Sequence, residues 1–332
     1  MGLELHAKAK TSRENKMARL GQVSGEVKGN LDFLGQANFR QGAAGVGGVQ
    51  VVKDSQIWYV DKNKTGPAAS GNGLSWKEAF LTLTEAVAAA GAYDVIYMGR
   101  GYYQEAATIT ISSTQRGLKI FGPTSGGVPT SNGLSSATST DDILIINADD
   151  VEIAGITFWC LTNAKNGIDI GAAYDGYSNW IHDCCFLTGN ADNNLGEYGI
   201  KVDNTDDCVG TLIENNLFYF MSTAGIVVGA TRVTIRNNII WSNSIGIDAT
   251  AHTGGTHSGL AIYGNKLIGR ASGATIGIEL ASTEPTDGHI FISDNIVTNF
   301  NTNITTGKAV SSIVNNQTAA DAATYKQVDA TP

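Results

Sequence analysis

From residue 151 onward the chain repeats one pattern: a short apolar strand, a polar pair, then a further apolar stretch. The copies read VEIAGITF (151–158), NWIHDCCF (179–186), TLIENNLF (211–218), VTIRNNII (233–240), LAIYGNKL (260–267), IFISDNIV (290–297) and SSIVNNQT (311–318). Their equivalent positions Ile156, Cys184, Asn216, Asn238, Asn265, Asn295 and Asn316 fall 21 to 32 residues apart. A second strand interleaves with the first: NGIDIG (166–171), YGIKVD (198–203), AGIVVG (224–229), IGIDAT (245–250) and IGIELA (276–281). Two registers in constant order over seven turns mark a repeat architecture. The strands span four to six residues and lack helical spacing, which predicts β structure.

Upstream the pattern changes. IWYVD (57–61) alternates as a strand, residues 63–73 read as loop, and SWKEAFLTLTEAVAAAG follows. Ser75 and Glu78 have capping-box spacing and Gly91 a helix-stop position, so the spacing predicts a helix over 75–90. Its Trp76, Phe80, Leu83 and Val87 share one apolar face. DVIYMGRGYYQE (94–105) reads as strand and turn. The expected organisation is an anchor or oligomerisation arm with a Gly-rich linker over 1–50, a repeat body over 51–318, and a polar tail over 319–332.

A repeat this short cannot fold alone, but stacked copies bury each other's inward side chains. Short strands with Gly and Asn at the corners specify a parallel β-solenoid with coils about 4.8 Å apart. Ile168, Ile200, Ile226, Ile247 and Ile278 then form an aliphatic stack. Asn216, Asn238, Asn265, Asn295 and Asn316 form an amide ladder at a bend, where Asn also tolerates a left-handed backbone.

The motifs IENN, IRNN, ISDN and IVNN, with the opening YVDKN…GLSWKEAF…EAVAAA…DVIYMGRGYYQE, resemble the right-handed parallel β-helix proteins of the pectate-lyase-like superfamily. The resemblance covers about 55–318. It implies an all-β, right-handed parallel β-helix whose first coil is plugged by a short amino-terminal helix. It says little of activity, because this scaffold carries lyases, hydrolases, tailspikes and inert structural proteins.

Composition narrows the function. The chain has 332 residues, 42% hydrophobic and 16% charged, with a formal net charge of −9. That balance argues against intrinsic disorder and against a nucleic-acid binder. No stretch reaches bilayer length. Residues 1–40 hold seven Lys/Arg and four Asp/Glu, against fifteen and twenty-seven in the remainder, so a basic head precedes an acidic body. The first twenty residues lack the apolar core of a signal peptide, and folding in a cytoplasm is the expectation. Gly21, Gly25 and Gly29 recur every four residues among Val23, Val27 and Leu31, a stem that gains burial by pairing with copies of itself. Cys160, Cys184, Cys185 and Cys208 lack metal-ligand spacing and read as buried free thiols.

Candidate chemistry sits on outward positions. Asp169, Lys201, Val227, Asp248 and Glu279 form one outward column. Asp248 and Glu279, on neighbouring coils about 5 Å apart, have the spacing of the acid and nucleophile of a retaining glycosidase. The other column reads His182, Glu214, Arg236, Tyr263 and Ser293, where Glu214 and Arg236 make a cross-strand ion pair. A lyase would instead use Arg236 as base together with Ca²⁺, for which Asp203, Asp206 and Asp207 offer oxygen ligands. Otherwise no cofactor is expected. Tyr174, Tyr177 and Trp180 offer an aromatic platform for sugars, or pack a loop onto the coil.

The resulting expectation is a structural phage virion protein: a homotrimeric β-helix projection (head decoration, head fibre or small tailspike). It would be assembled in a host cytoplasm and would bind capsid or tail proteins through residues 1–50, with a host-surface polysaccharide as an added partner. The alternatives are a tailspike-like polysaccharide depolymerase and a non-catalytic carbohydrate-binding adhesin.

Overall fold

In the computed structural model, contacts divide the chain into residues 1–39 and 40–332. The structure describes residues 55–64, 70–123, 133–137, 142–160, 166–171, 176–188, 196–203, 208–242, 244–250, 259–270, 274–280, 289–305 and 312–318. It also describes the backbone of 43–46, 49–51, 310–311, 319 and 326–330. The amino-terminal arm and its Gly21, Gly25 and Gly29 lie outside the described residues.

The body is a parallel β-helix, as the repeat requires. Each coil has three strands. The first-face strands run from Ile57–Val60 through Trp180–His182, Leu212–Glu214 and Thr234–Arg236 to the start of Val310–Ala319. Two residues later comes the second-face strand of the same coil, for example Cys185–Leu187, Leu217–Tyr219 and Ile239–Ser242. These two faces are continuous as one 19-stranded sheet. The third face is an 8-stranded sheet from Ile109–Ile111 to Thr302–Ile304. Successive coils pair parallel and in register, for instance Ile213↔Ile235 and Ile226↔Ile247.

Three internal columns fix this winding. Between the first and second faces, Asp183, Asn215, Asn237, Asp294 and Asn315 adopt φ of 52–56°, a left-handed bend that Asn and Asp tolerate. The next residue is the ladder. The Asn238 Nδ2 donates to Ile213 O and to Asn265 Oδ1, both at 3.0 Å, and its Oδ1 accepts from the Asn216 backbone N (2.9 Å) and Nδ2 (3.1 Å). Asn265 and Asn295 repeat these bonds, and Asn316 closes the series. Cys184 heads it: its Sγ faces Ile153 O at 3.7 Å, the carbonyl position that the amides use in later coils.

The second column is aromatic. Phe158, Phe186 and Phe218 stack at 4.9 and 4.8 Å with nearly parallel rings, continued in register by Ile240, Leu267 and Val297. The third explains the glycines at the start of the five central third-face strands, Gly167, Gly199, Gly225, Gly246 and Gly277. A Cβ on Gly199 would lie 2.4 Å from Phe218 Cδ1, and one on Gly225 would lie 2.7 Å from Ile240 Cγ2. The strand thus bends hard against the stack at a position that admits no side chain. The aliphatic stack Ile168, Ile200, Ile226, Ile247 and Ile278 is in register and fully buried.

The first coil is plugged, but by a shorter helix than the spacing predicts. Helix α1 is Leu83–Ala89, and its capping box is Thr82–Glu85. Ser75 Oγ does accept from Glu78 N, but Phe80 bridges to Val60. Sheet pairing therefore holds 75–81 out of the helix. Buried Glu105 caps α1 from another strand, accepting from Leu83 N (2.8 Å) and Thr84 Oγ1 (2.7 Å). At the other end, Lys326–Ala330 pairs antiparallel with Val310–Ala319, so part of the tail covers the last coil. No helix among the described residues is long and apolar enough to cross a membrane.

Candidate functional site

The inward columns are committed to folding, so chemistry must be sought on the three outer faces. On the third face the predicted column is present. Asp248 pairs in register with Glu279, and Asp169 with Lys201. Asp248 Oδ1 accepts from Thr250 N (2.8 Å) and Thr250 Oγ1 (2.6 Å), which fixes its carboxylate. Partial burial, then the neighbouring charge of Asp248, raise Glu279 above the usual carboxyl value. Nearby, burial, with the charges of Glu197 and Asp248, pushes the Tyr198 hydroxyl up to about 12. It therefore stays a proton donor at neutral pH.

Three coils before Asp248 the same column begins with a buried carboxylate. Asp169 is 4% exposed, and Lys201 Nζ bridges Asp169 Oδ2 and Asp203 Oδ2 at 3.2 Å each. Burial raises Asp169 to about 6 against the opposing pull of Lys201. Its Oδ1 and the Asn166 Oδ1 are buried without hydrogen-bond partners. Asp203, one of the three expected calcium ligands, is thus paired with a lysine, while Asp206 and Asp207 lie outside the described residues.

The first face carries a continuous polar lattice. Lys119 pairs with Glu152, whose other oxygen faces His182 Nε2 at 3.3 Å, while His182 Nδ1 meets Asp183 Oδ2 at 2.7 Å. Burial lowers the His182 pKa, but the Glu152 and Asp183 bonds outweigh it and the net shift is upward. Trp180 stacks on His182 at 4.0 Å and donates its Nε1 hydrogen to Glu214 Oε1 at 3.0 Å. Glu214 Oε2 accepts from Arg236 Nε at 2.5 Å, and Arg236 reaches Tyr263 Oη at 3.2 Å.

The Glu214–Arg236 cross-strand pair is therefore present. The Glu214 and Tyr263 bonds raise the already high pKa of the Arg236 guanidinium further, which is opposite to the shift a general base needs. Trp180 and Tyr177 are exposed, at 37% and 39%; Tyr174 lies outside the described residues. The four cysteines are free and buried. Burial pushes the thiols of Cys160, Cys184 and Cys185 up to about 12, so they are poor nucleophiles.

The second face was missed at the level of sequence. Its outward columns are Cys185, Leu217, Ile239, Lys266, Ile296 and Leu187, Tyr219, Trp241, Ile268, Thr298. Ile239 is 42% exposed and Trp241 37%. Tyr219 meets Trp241 edge-on at 4.9 Å, and Arg270 covers Phe220 at the rim. In LFY and IIW apolar residues occupy both sides of the strand. The signal available was the failed alternation itself.

These features define a parallel β-helix protein with three chemically distinct outer faces. No protein-family model matches the chain, and no curated protein matches it. Among solved structures it is similar to a pectin methylesterase in complex with a hexasaccharide, at TM-score 0.47 and 14% identity, covering 71% of this chain and 80% of that one. It is also similar to a rhamnogalacturonan lyase (TM-score 0.46, 13% identity, 81% and 88% covered). A third is the pectin methylesterase from Aspergillus niger (0.46, 13%, 80% and 94%). The fold assignment rests on the strand register above, and any activity on this chain's own side chains.

Proposed function

We propose that this chain is a structural projection of a virus particle, a homotrimeric β-helix attached to capsid or tail proteins through residues 1–50. The observation that carries the reading is the apolar outer strip of the second face: Leu217, Tyr219, Ile239, Trp241, Ile268 and Ile296, with Lys266 set between Ile239 and Ile296. Contiguous apolar patches of this kind mark protein–protein contacts, and a repeating rod offers the same strip to each copy of itself. The Gly-spaced stem at 21–29 supports the same association, and the basic amino-terminal segment supports attachment to an acidic partner.

Light scattering after size exclusion tests the association. The expected result is a trimer that becomes a monomer in the double variant Ile239→Glu, Trp241→Glu, with its β circular dichroism unchanged. A monomeric wild-type chain, or a trimer that survives both substitutions, overturns the reading of this face. Electron microscopy of particles with and without the protein tests the virion role; unaltered particles would reject it.

A second reading, a polysaccharide depolymerase, is favoured by the in-register Asp248–Glu279 pair. With its raised pKa, Glu279 serves as proton donor and Asp248 as nucleophile. Release of reducing ends that disappears in both Glu279→Gln and Asp248→Asn supports it; no release from any tested polysaccharide rejects it.

A further inference from the structure

The geometry points to a carbohydrate subsite on the first face, centred on the exposed face of the Trp180 indole and specific for a neutral pyranoside. This goes beyond the self-association reading and uses a different face of the β-helix.

Trp180 is exposed yet immobilised. One face of its ring lies on the His182 imidazole at 4.0 Å. Its Nε1 is tied to Glu214 across the coil boundary at 3.0 Å, and Glu214 is itself held by Arg236. The indole therefore presents its remaining face to solvent with little rotamer freedom left to lose on binding. That face carries negative π density, the complement of the weakly positive axial C–H groups on one side of a pyranose ring.

The surroundings decide between a sugar and a protein partner. In register with the Trp180 strand lie Glu152 on one side, Leu212 and Glu214 on the other, with Lys119 a coil beyond Glu152. His182 and Asp183 continue the same strand. Protein interface cores are depleted in charge, and this indole is ringed by it. The second face shows the opposite arrangement, with aromatic and aliphatic residues side by side. Hydroxyl groups match the ring around Trp180. Each carboxylate oxygen has about two acceptor sites; each oxygen of Glu152 and Glu214 makes one bond within the lattice. Both of these side chains are largely buried, so the carboxylate of this ring that faces ligand O–H donors is Asp183, 44% exposed at its side chain.

The charge pattern selects a neutral sugar. Lys119 and Arg236 are each paired with a carboxylate, and Asp183 adds a third carboxylate beside His182. A uronate placed over Trp180 would find no positive charge left uncompensated, and would meet the exposed carboxylate of Asp183.

Affinity electrophoresis through gels containing dextran, galactomannan, alginate or polygalacturonate tests the subsite on the full chain. The expected result is retardation by at least one of the two neutral polymers. The affinity should weaken about tenfold or more in Trp180→Ala, equivalent to about 1.4 kcal/mol, and recover in Trp180→Tyr. Oligomeric state and circular dichroism are measured on the same variants, and both should match wild type. Failure to bind either neutral polymer, retardation by the anionic polymers alone, or unchanged affinity in Trp180→Ala each overturns the subsite. None of these outcomes bears on the second-face association.

Discussion

Replacing Asn238 by Asp changes one NH₂ group to an oxygen without altering side-chain shape. In the ladder that group donates to Ile213 O and Asn265 Oδ1, both at 3.0 Å. After Asn238→Asp, three oxygens face one another where two donor–acceptor contacts stood, and a charge is buried. Each orphaned buried acceptor costs about 1–3 kcal/mol, and the unpaired charge adds several more before relaxation. The expected loss at pH 7.5 is about 4–6 kcal/mol, a large part of the ~5–15 kcal/mol that holds a typical domain folded. The bonds accepted from Asn216 are unaffected, so the loss is specific to donation. At pH 4 the introduced carboxyl gains one hydrogen and can restore one of the two bonds, which should recover about half the loss. Asn237→Asp is the control: that side chain is exposed, and Asp already occupies the same left-handed position at 183 and 294. Urea unfolding followed by circular dichroism measures both. Amide exchange should rise in the coils around 212–219, 234–242 and 261–269, since a solenoid transmits damage mainly to neighbours. If Asn238→Asp stays within about 1 kcal/mol of wild type at pH 7.5, or matches Asn237→Asp, the ladder is not a principal source of stability.

Three further outcomes are expected. Gly225→Ala should cost about 1–3 kcal/mol in thermal unfolding, because its Cβ would lie 2.7 Å from Ile240 Cγ2 and 2.8 Å from Gly246 O; Gly91→Ala, with 3.8 Å of clearance, should be neutral. Asp169 has a folded pKa near 6 against an ordinary 3.8, so its ionisation opposes folding as pH rises between those values. Asn at this position should therefore raise stability at pH 7.5 by about 1–3 kcal/mol and flatten the profile from pH 4 to 6; a less stable Asp169→Asn protein would contradict the burial argument. The His182 pKa is raised above its ordinary 6.5. Its ion pairs stabilise fully below that value and are lost as pH rises through the folded pKa, so His182→Gln should remove stability below pH 6.5 and little well above it. Imidazole NMR titration checks the direction of the shift.

Legibility in the sequence followed the inward columns. The five ladder asparagines and the five isoleucines lie where their spacing places them, because a residue locked between identical neighbours must recur at each turn. Asp248 and Glu279 were brought together by the same register. Helix α1 was harder. Ser75–Glu78 and Thr82–Glu85 offer competing capping boxes seven residues apart, and the choice was made by Phe80 pairing with Val60, a contact no local pattern encodes. Each third-face glycine was visible, but its cause was not, since the atom that excludes a Cβ belongs to a different strand. Cys184 stood at a ladder position without any sign that its thiol would face the carbonyl the amides use. Trp180 was singled out, but its fixation depended on Glu214 in the next coil and a histidine two residues away.

The division of labour follows from that internal economy. Ladder, ring stack and glycine column together set the path of the coils from Phe158 to Asn316, and none of them uses an outward side chain. Outward positions can then differ from face to face without cost to the winding. The polar lattice around Trp180, the apolar strip through Ile239 and Trp241, and the carboxylates at Asp248 and Glu279 each occupy a separate face. The proposed association would bury the second face and leave the first and third in water. The proposed glycan subsite and the proposed self-association therefore use different surfaces. Substitutions at Trp180 should alter ligand binding without altering assembly, and those at Ile239 and Trp241 should alter assembly while the single β-helix still winds.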